Sequence, residues 1–253
     1  MREIFVIEIK NVHLRYPDGT HALKGVDLTI SKGEFFLICG RNGSGKTSLL
    51  RLITGLIKPT SGAIRIDGED SAEGNRKGRP PVGLVFQDAD SQILGETVRE
   101  DVAFGPENLG LPAEEVRERV DGALRWMGLE ALAEKPCHLL SGGEKRRLSI
   151  AGILAMKPQT ILFDEPFSHL DYPSIQEVLR QMLRLHRDGH TLVVTTHDVE
   201  KVIAHVDRIA ILHQGEIKSA GPPDELVSTL SDFGIRPPCY ALLGQEKLSW
   251  LSG

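Results

Sequence analysis

GRNGSGKT, Gly40–Thr47, lies between the apolar run EFFLIC, Glu34–Cys39, and the leucine-rich stretch SLLRLITGLI. The apolar run predicts a buried strand. The stretch after the loop predicts a helix ended by Gly55 and Pro59. Its apolar positions fall on one helical face: Leu49, Leu50, Ile53, Leu56 and Ile57. The order of strand, glycine-rich loop and helix is the one that a phosphate-binding loop requires.

The residue types in this loop suit a nucleotide triphosphate. Gly43 and Gly45 let backbone N–H groups turn inward around phosphates, and the helix start adds partial positive charge. Lys46 supplies a point charge to the β and γ oxygens, and Thr47 offers its hydroxyl to Mg²⁺. A Gly-Ser-Gly turn that only connects a strand to a helix is the alternative. The full eight-residue pattern in this context favours nucleotide binding.

Composition limits the setting. The chain has 253 residues and a net charge of -5, so no global charge attracts nucleic acid. Cys39, Cys137 and Cys239 are scattered and odd in number, which is typical of reduced cytosolic thiols. No apolar run approaches the ~20 residues of a membrane span, and the N-terminus has no signal-peptide core. We therefore expect any membrane role to come through a partner.

The pattern of elements predicts an α/β fold with an insertion. FVIEIKNVHLRY, HALKGVDLTI and SGAIRIDG predict strands of an antiparallel sheet, and residues 71–81 predict a polar loop before the strand VGLVF. Signals from 96 to 156 are mainly helical, and one helix has a single apolar face: Val116, Val120, Ala123, Leu124 and Met127. After Pro158, strands and helices alternate again. The helical stretch therefore reads as an insertion in a parallel-sheet core.

Two acids and one histidine follow predicted strands. TILF leads into Asp164 and Glu165, and TLVVTT leads into His197. Ligands of α/β proteins bind at the carboxyl ends of the strands. Asp164 would therefore hold the Mg²⁺ shell, Glu165 would polarise the attacking water, and His197 would hydrogen-bond the γ-phosphate. The alternatives are solvated acids at a strand end and a structural histidine.

An ordered set of motifs resembles the ATP-binding subunit of ABC transporters over nearly the whole chain. The set is Tyr16 at the adenine-stacking position, GRNGSGKT as Walker A, Gln87 as the Q-loop, LSGGEKRR from Leu140 as the signature, ILFDEP as Walker B, SHLD from Ser168 to Asp171 as the D-loop, and His197 as the switch histidine. A tyrosine at a strand edge is the alternative for Tyr16.

The resemblance implies a P-loop NTPase (RecA-like) core with a mainly parallel sheet, an N-terminal antiparallel β subdomain and an inserted α-helical subdomain. It implies one ATPase domain over 1–253, with a β subdomain and Walker A core (1–85), a helical subdomain (86–157), a Walker B core (158–220) and a C-terminal extension (221–253).

The resemblance also implies site residues. Catalysis would involve Glu165, His197, Gln87 and Lys46, and Mg²⁺ would be held by Thr47, Gln87 and Asp164. ATP would contact Tyr16, Gly40, Arg41, Asn42, Gly43, Ser44, Gly45, Lys46, Thr47, Ser48, Ser141, Gly142 and Gly143. In the family's head-to-tail dimer, the last three belong to the opposite subunit and cap the γ-phosphate.

The resemblance is closer to the energy-coupling factor and cobalt or nickel uptake group, through YPDGTHALKGVDLTI, VGLVFQDADSQILGETVREDVAFGPENLGL and LSGGEKRRLSIAGILAM. It implies an ATPase on the cytoplasmic face of the membrane. Its partners would be a second, identical or similar ATPase, a transmembrane coupling subunit and a substrate-binding membrane subunit, with no nucleic acid. The cargo, a cobalt or nickel ion or a vitamin, stays open. A soluble ABC ATPase acting on DNA or ribosomes is the alternative. A P-loop kinase would have no use for the signature.

Three further features leave alternatives open. Residues 87–105 contain apolar positions for a partner-helix groove, or form an ordinary amphipathic insertion: Ile93, Leu94, Val98, Val102 and Phe104. Lys145, Arg146 and Arg147 attract a triphosphate or line a solvated helix face. Asp88 and Ala89 replace the usual Asn-Pro, and His169 replaces a small residue in the D-loop, where it would crowd or tune the dimer interface.

Overall fold

The computed structural model describes residues 5–71, 82–247 and 249–251. Apart from Ser71, the polar loop predicted for 71–81 lies outside the described residues. The chain divides into two compact units: unit 1 comprises 1–74 and 183–253, and unit 2 comprises 75–182.

Unit 1 begins with an antiparallel sheet. Strand β1, Phe5–Arg15, pairs on one side with β2, His21–Ser31, and on the other with β4, Ser61–Ile66, which pairs with the short β5, Glu69–Asp70. Alternate side chains of β1 are buried, because one face of an antiparallel sheet packs on the core. The predicted N-terminal antiparallel sheet is confirmed.

The other strands of unit 1 are mainly parallel. The central strand β3, Phe35–Cys39, pairs in parallel with β8, Thr191–Thr196, and with β9, Arg208–His213. The last strand, β10, Glu216–Gly221, is antiparallel to β9. All residues of β3 and β8 are buried, as expected of parallel strands covered on both faces.

Helix α1, Lys46–Ile53, is shorter than predicted. The helix ends before Gly55, because the φ of 72° at Gly55 is incompatible with a right-handed helix. The prediction that Leu56 and Ile57 extend its apolar face is therefore wrong, and Leu56 is 59% exposed. Unit 1 ends in short helices α6, Pro223–Leu226, and α7, Cys239–Leu243.

Unit 2 combines two parallel strands with helices. Strand β6, Val82–Val85, pairs with β7, Thr160–Asp164. Between them lie α2, Val98–Asn108, α3, Ala113–Met127, and α4, Gly142–Ala155. The predicted apolar face of α3 is confirmed as buried. The helical insertion is confirmed, as is the mixed α/β fold class with parallel strands, an antiparallel sheet and helices.

Helix α5, Tyr172–Arg187, begins in unit 2. Within the described residues, no helix is both long and apolar enough to span a bilayer.

Candidate functional site

The phosphate loop of unit 1 has glycines where no side chain fits. A Cβ on Gly40 would lie 2.3 Å from the carbonyl oxygen of Leu212, and one on Gly45 would lie 2.8 Å from that of Ala22. Gly45 also has a φ of 109° and is the first residue before α1. The loop backbone therefore lies directly against β2 and β9, with its amides close to the start of the helix.

Lys46 folds back across this loop. Its side chain is buried, and its Nζ donates to the carbonyl oxygens of Gly40 at 2.8 Å and Arg41 at 3.3 Å. Ser44 Oγ is also buried and, within the part of the chain that the structure describes, has no hydrogen-bond partner. Arg41, Asn42 and Gly43 lie on the exposed side of the loop. A buried hydroxyl without a partner beside an ammonium group fits a phosphate oxygen.

Tyr16 lies next to the start of α1. Its hydroxyl is 3.0 Å from Ser48 Oγ, and its ring is half-buried. The hydrogen bond positions the aromatic ring beside the phosphate loop. Adenine stacking at Tyr16 stays a prediction.

His197 follows the end of β8 and is exposed. Cys39, at the end of β3, pairs with Thr196, and the Gly40 N–H donates to the Thr196 carbonyl oxygen at 3.3 Å. Parallel pairing therefore brings His197 to the sheet edge where the phosphate loop begins. Its role as a γ-phosphate sensor stays a prediction.

The predicted acids lie at the end of β7 in unit 2. Asp164 and Glu165 are 4% and 5% exposed, so the alternative of solvated acids is wrong. Glu165 adopts a φ of 46°, a left-handed conformation that costs roughly 1–2 kcal/mol for a residue with a Cβ. His169 in the same segment has a φ of 61°.

Gln87 and Glu165 follow neighbouring strands within unit 2. Val85 of β6 pairs with Phe163 of β7, so each of the two residues comes two positions after a paired one. The pairing brings the Q-loop glutamine and the Walker B acids to one sheet edge. Gln87 is exposed.

The signature turn starts α4 with a capping box. Ser141 Oγ accepts from the Glu144 N–H at 3.2 Å, and the Glu144 carboxylate accepts from the Ser141 N–H at 2.7 Å. The hydrogen bonds from Ser141 are the main cause that lowers the pKa of Glu144. Because a hydroxyl that accepts one hydrogen bond still has a proton to donate, Ser141 retains the chemistry to bind an anion. Gly142 is exposed beside it.

The three basic residues of α4 lie in different surroundings. Lys145 forms an ion pair with Asp90 at 2.5 Å, and Arg147 donates to the Met127 carbonyl oxygen at 3.3 Å. Arg146 is 3% exposed, so neither predicted alternative, attraction to a triphosphate or a solvated helix face, describes it. Its spacing to buried Ile150 and Ile153, i+4 and i+7, would have placed it on the apolar face.

The sequence reasoning did not identify two other polar residues that shape the Q-loop region. Gln92 Oε1 accepts from the Phe86 N–H at 2.9 Å. Asp101 accepts from the N–H groups of Leu94 at 2.7 Å and Gly95 at 3.0 Å, and burial raises its pKa. No local pattern marks these contacts, although the capping box from Thr97 to Glu100 was readable from sequence.

A groove of about 490 Å³ lies on unit 2. Its lining combines polar and apolar residues: Asp90, Ile93, Gly95, Glu96, Thr97, Pro136, Cys137, His138 and Lys145. Of the apolar positions expected to form a partner groove, Val98 and Val102 are instead fully buried, whereas Leu94 and Phe104 are 65% and 48% exposed. Of these positions only Ile93 lines the groove, and the exposed Leu94 comes between its lining residues Ile93 and Gly95 in the sequence.

The structure brings the predicted residues together in two sets. Within unit 1 these are the phosphate loop, Tyr16 and His197, and within unit 2 they are Gln87 and the Walker B acids. The signature turn lies at the start of α4. That both sets bind one nucleotide stays a prediction.

Known proteins resemble this chain over most of its length. A model of the ABC transporter family matches residues 23–168. The energy-coupling factor transporter ATP-binding protein EcfA of Methanocaldococcus jannaschii is 42% identical, over 95% of this chain and 88% of that protein. The solved structure of cbiO1 from Clostridium perfringens, described as part of the ABC transporter complex cbiONQ, matches with a TM-score of 0.81 and 36% identity, covering 96% of this chain and 99% of that one.

A second solved structure shows an ATP-binding cassette dimer in a post-hydrolysis state, bound to ADP and Pi. It matches with a TM-score of 0.76 and 33% identity, covering 85% of this chain and 98% of that one. Both structural neighbours are ABC ATPase cassettes with the P-loop NTPase fold.

Proposed function

The chain belongs to the ABC transporter family and is a nucleotide-binding ATPase, and we propose that it energises a membrane importer of the energy-coupling factor type. Its cargo would be a transition-metal cation such as cobalt or nickel, or a vitamin. The groove on unit 2 carries the transporter part of this proposal, and the similarity to EcfA and cbiO1 supports it.

The groove fits a partner helix better than a small molecule. Its residue Asp90 comes three positions after Gln87, and Ile93 offers an apolar anchor within a polar rim, next to the exposed Leu94. Amphipathic helices bind grooves of this composition. We infer that a cytoplasmic helix of a transmembrane coupling subunit binds there, and that a separate membrane subunit binds the cargo. The chain would then lie on the cytoplasmic face of the membrane, away from nucleic acid.

We assign the ATP site to the residues that the family motifs predict. The triphosphate would lie in the loop from Gly40 to Ser48, where Ser44 Oγ and the Lys46 ammonium meet its oxygens. Tyr16 would stack on adenine, a contact worth about 1–3 kcal/mol by analogy with base stacking on aromatic residues. The close-fitting glycines and the buried, unpartnered hydroxyl support this assignment.

The donor set also fits Mg²⁺, which prefers oxygen ligands. Thr47, Gln87 and Asp164 would hold the ion, which when bound neutralises charge on the β- and γ-phosphates. Glu165 would take the proton of the attacking water, and His197 would donate to the γ-phosphate. Phosphoryl transfer needs little covalent help, so these residues act by position and charge.

We infer a head-to-tail dimer with an identical or similar subunit. In it, Ser141, Gly142 and Gly143 of one subunit cap the nucleotide held by Lys46 of the other, so each chain is one ATPase domain with half of two sites. The exposed Ser141 and Gly142 and the dimeric cassette relative support this arrangement.

The dimer is tested by separating nucleotide binding from closure. In a Glu165→Gln background that hydrolyses ATP slowly, Lys46→Ala should weaken ATP binding, because it removes the charge at the phosphates. Ser141→Arg should leave binding by the monomer intact and abolish ATP-dependent dimerisation, because its side chain fills the space of the second γ-phosphate contact. ATP titration and light scattering measure the two effects. Normal dimerisation of the Ser141 variant would refute the composite site.

The transporter assignment is tested at the groove. Leu94→Glu should release the folded protein from membranes of cells that co-express candidate transmembrane subunits, with ATP affinity unchanged. Leu56→Glu is the matched control, because Leu56 is 59% exposed against 65% for Leu94 and lies in unit 1. Two outcomes would favour the alternative function, a soluble ABC ATPase acting on DNA or ribosomes. The first is a Leu94 variant that stays on the membrane, and the second is a wild type found only in the soluble fraction with nucleic acid.

A further inference from the structure

Arg146 is a buried cation that binds the carbonyl oxygens of the two peptide bonds flanking the Q-loop glutamine, Gln87. Its Nη1 donates to the Phe86 carbonyl oxygen and its Nη2 to the Gln87 carbonyl oxygen, each at 2.5 Å. The side chain is almost fully buried. This burial lowers its pKa, whereas the negative charges of Asp88 and Asp164 raise it to a smaller extent. Because a guanidinium group is never deprotonated in proteins, both contacts are charged hydrogen bonds, which are stronger than neutral ones.

Gln92 forms a second connection to the same segment. Its Oε1 accepts from the Phe86 N–H at 2.9 Å, and its Nε2 donates to the Ser149 carbonyl oxygen of α4 at 3.2 Å. Three of the four backbone polar groups of Phe86 and Gln87, namely the N–H and C=O of Phe86 and the C=O of Gln87, are therefore bound by Arg146 or Gln92. Both side chains connect these groups to helix α4, because Arg146 belongs to the helix and Gln92 donates to its Ser149.

The same helix begins with the signature turn. Arg146 lies five residues after Ser141, about 7.5 Å along a helix that rises about 1.5 Å per residue. An α-helix over this length is stiff, so a displacement of Ser141 moves Arg146 with it. The peptide groups of Phe86 and Gln87 then follow. The Gln87 side chain itself is exposed and carries no part of this connection.

We propose that Arg146, assisted by Gln92, is a positioning residue that couples the two nucleotide sites of the dimer. This inference rests on the proposed head-to-tail dimer, in which the signature turn contacts the nucleotide of the opposite subunit and Gln87 serves the nucleotide of its own. Closure of Ser141 on one nucleotide sets the position of Gln87 at the other through α4 and Arg146. ATP at either site thus promotes hydrolysis at its neighbour.

The test compares cooperativity and turnover in the full-length protein. Arg146→Met keeps the length of the side chain and removes both hydrogen bonds. It should lower kcat by about 10–100-fold, the order of one lost positioning contact, and bring the Hill coefficient for ATP towards one, with ATP affinity in the monomer unchanged. Arg146→Lys, which keeps the charge but loses the two-pronged geometry, should give intermediate values.

Arg147→Met is the matched control. It removes the neighbouring guanidinium on the same helix, which donates to Met127 and not to the Q-loop, so kcat and the Hill coefficient should match the wild type. Gln92→Leu tests the second connection at a half-buried position, where the risk of misfolding is lower. It should reduce the Hill coefficient even if Arg146→Met does not fold.

The outcomes separate this inference from the dimer on which it rests. A wild type that shows no ATP-dependent dimer or no cooperativity would overturn both. A wild type that dimerises and hydrolyses ATP cooperatively, with folded Arg146 and Gln92 variants that keep its Hill coefficient and kcat, would overturn the coupling role alone. Loss of stability without a change in either kinetic quantity would show that these residues act only in folding.

Discussion

Gly143→Ala should destabilise unit 2 although alanine favours helices. A Cβ on Gly143 would lie 2.5 Å from Ser174 Oγ and 3.0 Å from Ser174 Cβ, whereas one on Gly142 would meet only Leu170 Cδ2, at 4.0 Å. Overpacking costs about 1–3 kcal/mol, and alanine in place of glycine inside a helix returns about 0.5–1 kcal/mol. The expected net loss for Gly143→Ala is therefore about 0–2.5 kcal/mol. Gly142→Ala should be neutral or slightly stabilising.

Urea denaturation measures this difference. The chain has two tryptophans, so a Trp250→Phe background leaves Trp126 of α3 as a fluorescence probe inside unit 2. Ser174→Gly removes both atoms that the new Cβ would meet, so in the double variant the cost of Gly143→Ala should fall by at least about 0.5 kcal/mol, the size of coupling typical of residues in contact. If Gly143→Ala is as stable as Gly142→Ala, or if Ser174→Gly gives no relief, the steric argument is refuted.

Three further predictions concern single side chains. Glu165→Gln in the assembled complex should keep ATP affinity and lose about 10²–10⁴-fold in turnover, as for a removed general base; near-normal turnover would reassign the base. Asp101→Asn keeps an acceptor for the backbone N–H groups and removes a carboxylate whose pKa burial raises. Since the folded state favours the protonated acid, the wild type should lose stability relative to Asp101→Asn as pH rises through 3.8. Asp101→Ala removes the acceptor and should lower the free energy of unfolding, measured by urea denaturation, by about 1–3 kcal/mol. Equal stability of the Asn and Ala variants would contradict a stabilising role for the hydrogen bonds to Asp101. Burial, with Lys247 and Arg187, lowers the pKa of His205, which lies 2.8 Å from Ser249 Oγ. Folding therefore favours neutral His205, and stability should fall as pH drops through 6.5; a His205→Gln variant with the same pH profile from 5 to 8 would exclude this residue as the cause.

The sequence predicted the elements that depend on local patterns. Strands β3, β7 and β8 are continuous apolar runs because both of their faces are covered, and α3 has a clear helical period. The strand ends also placed Asp164, Glu165 and His197 where α/β proteins bind ligands. The order of the motifs gave the family, which the relatives confirm.

The sequence could not predict features that depend on contacts between distant residues. The spacing of Arg146 to Ile150 and Ile153 places it on the apolar face of α4, but no sequence pattern identifies the carbonyl oxygens of Phe86 and Gln87 that accept its hydrogen bonds. Val98 and Val102 belong to the core because of the packing of α2, which the apolar pattern of 87–105 did not distinguish from a groove. The roles assigned to the site residues stay predictions.

The start of helix α1 would make the stability of this protein depend on bound nucleotide. Helices α2 and α4 carry their own capping boxes, but α1 starts on Gly45, which has no side chain to cap it. A bound phosphate would act as that cap, and a ligand at 100 times its Kd adds about 2.7 kcal/mol to the free energy of unfolding. If the ATP concentration fell below its Kd, a larger fraction of molecules would then be unfolded and open to proteases, because degradation follows the population of the unfolded state. Bound nucleotide would then protect the ATPase from unfolding and degradation, and loss of ATP would lower the amount of the protein as well as its activity.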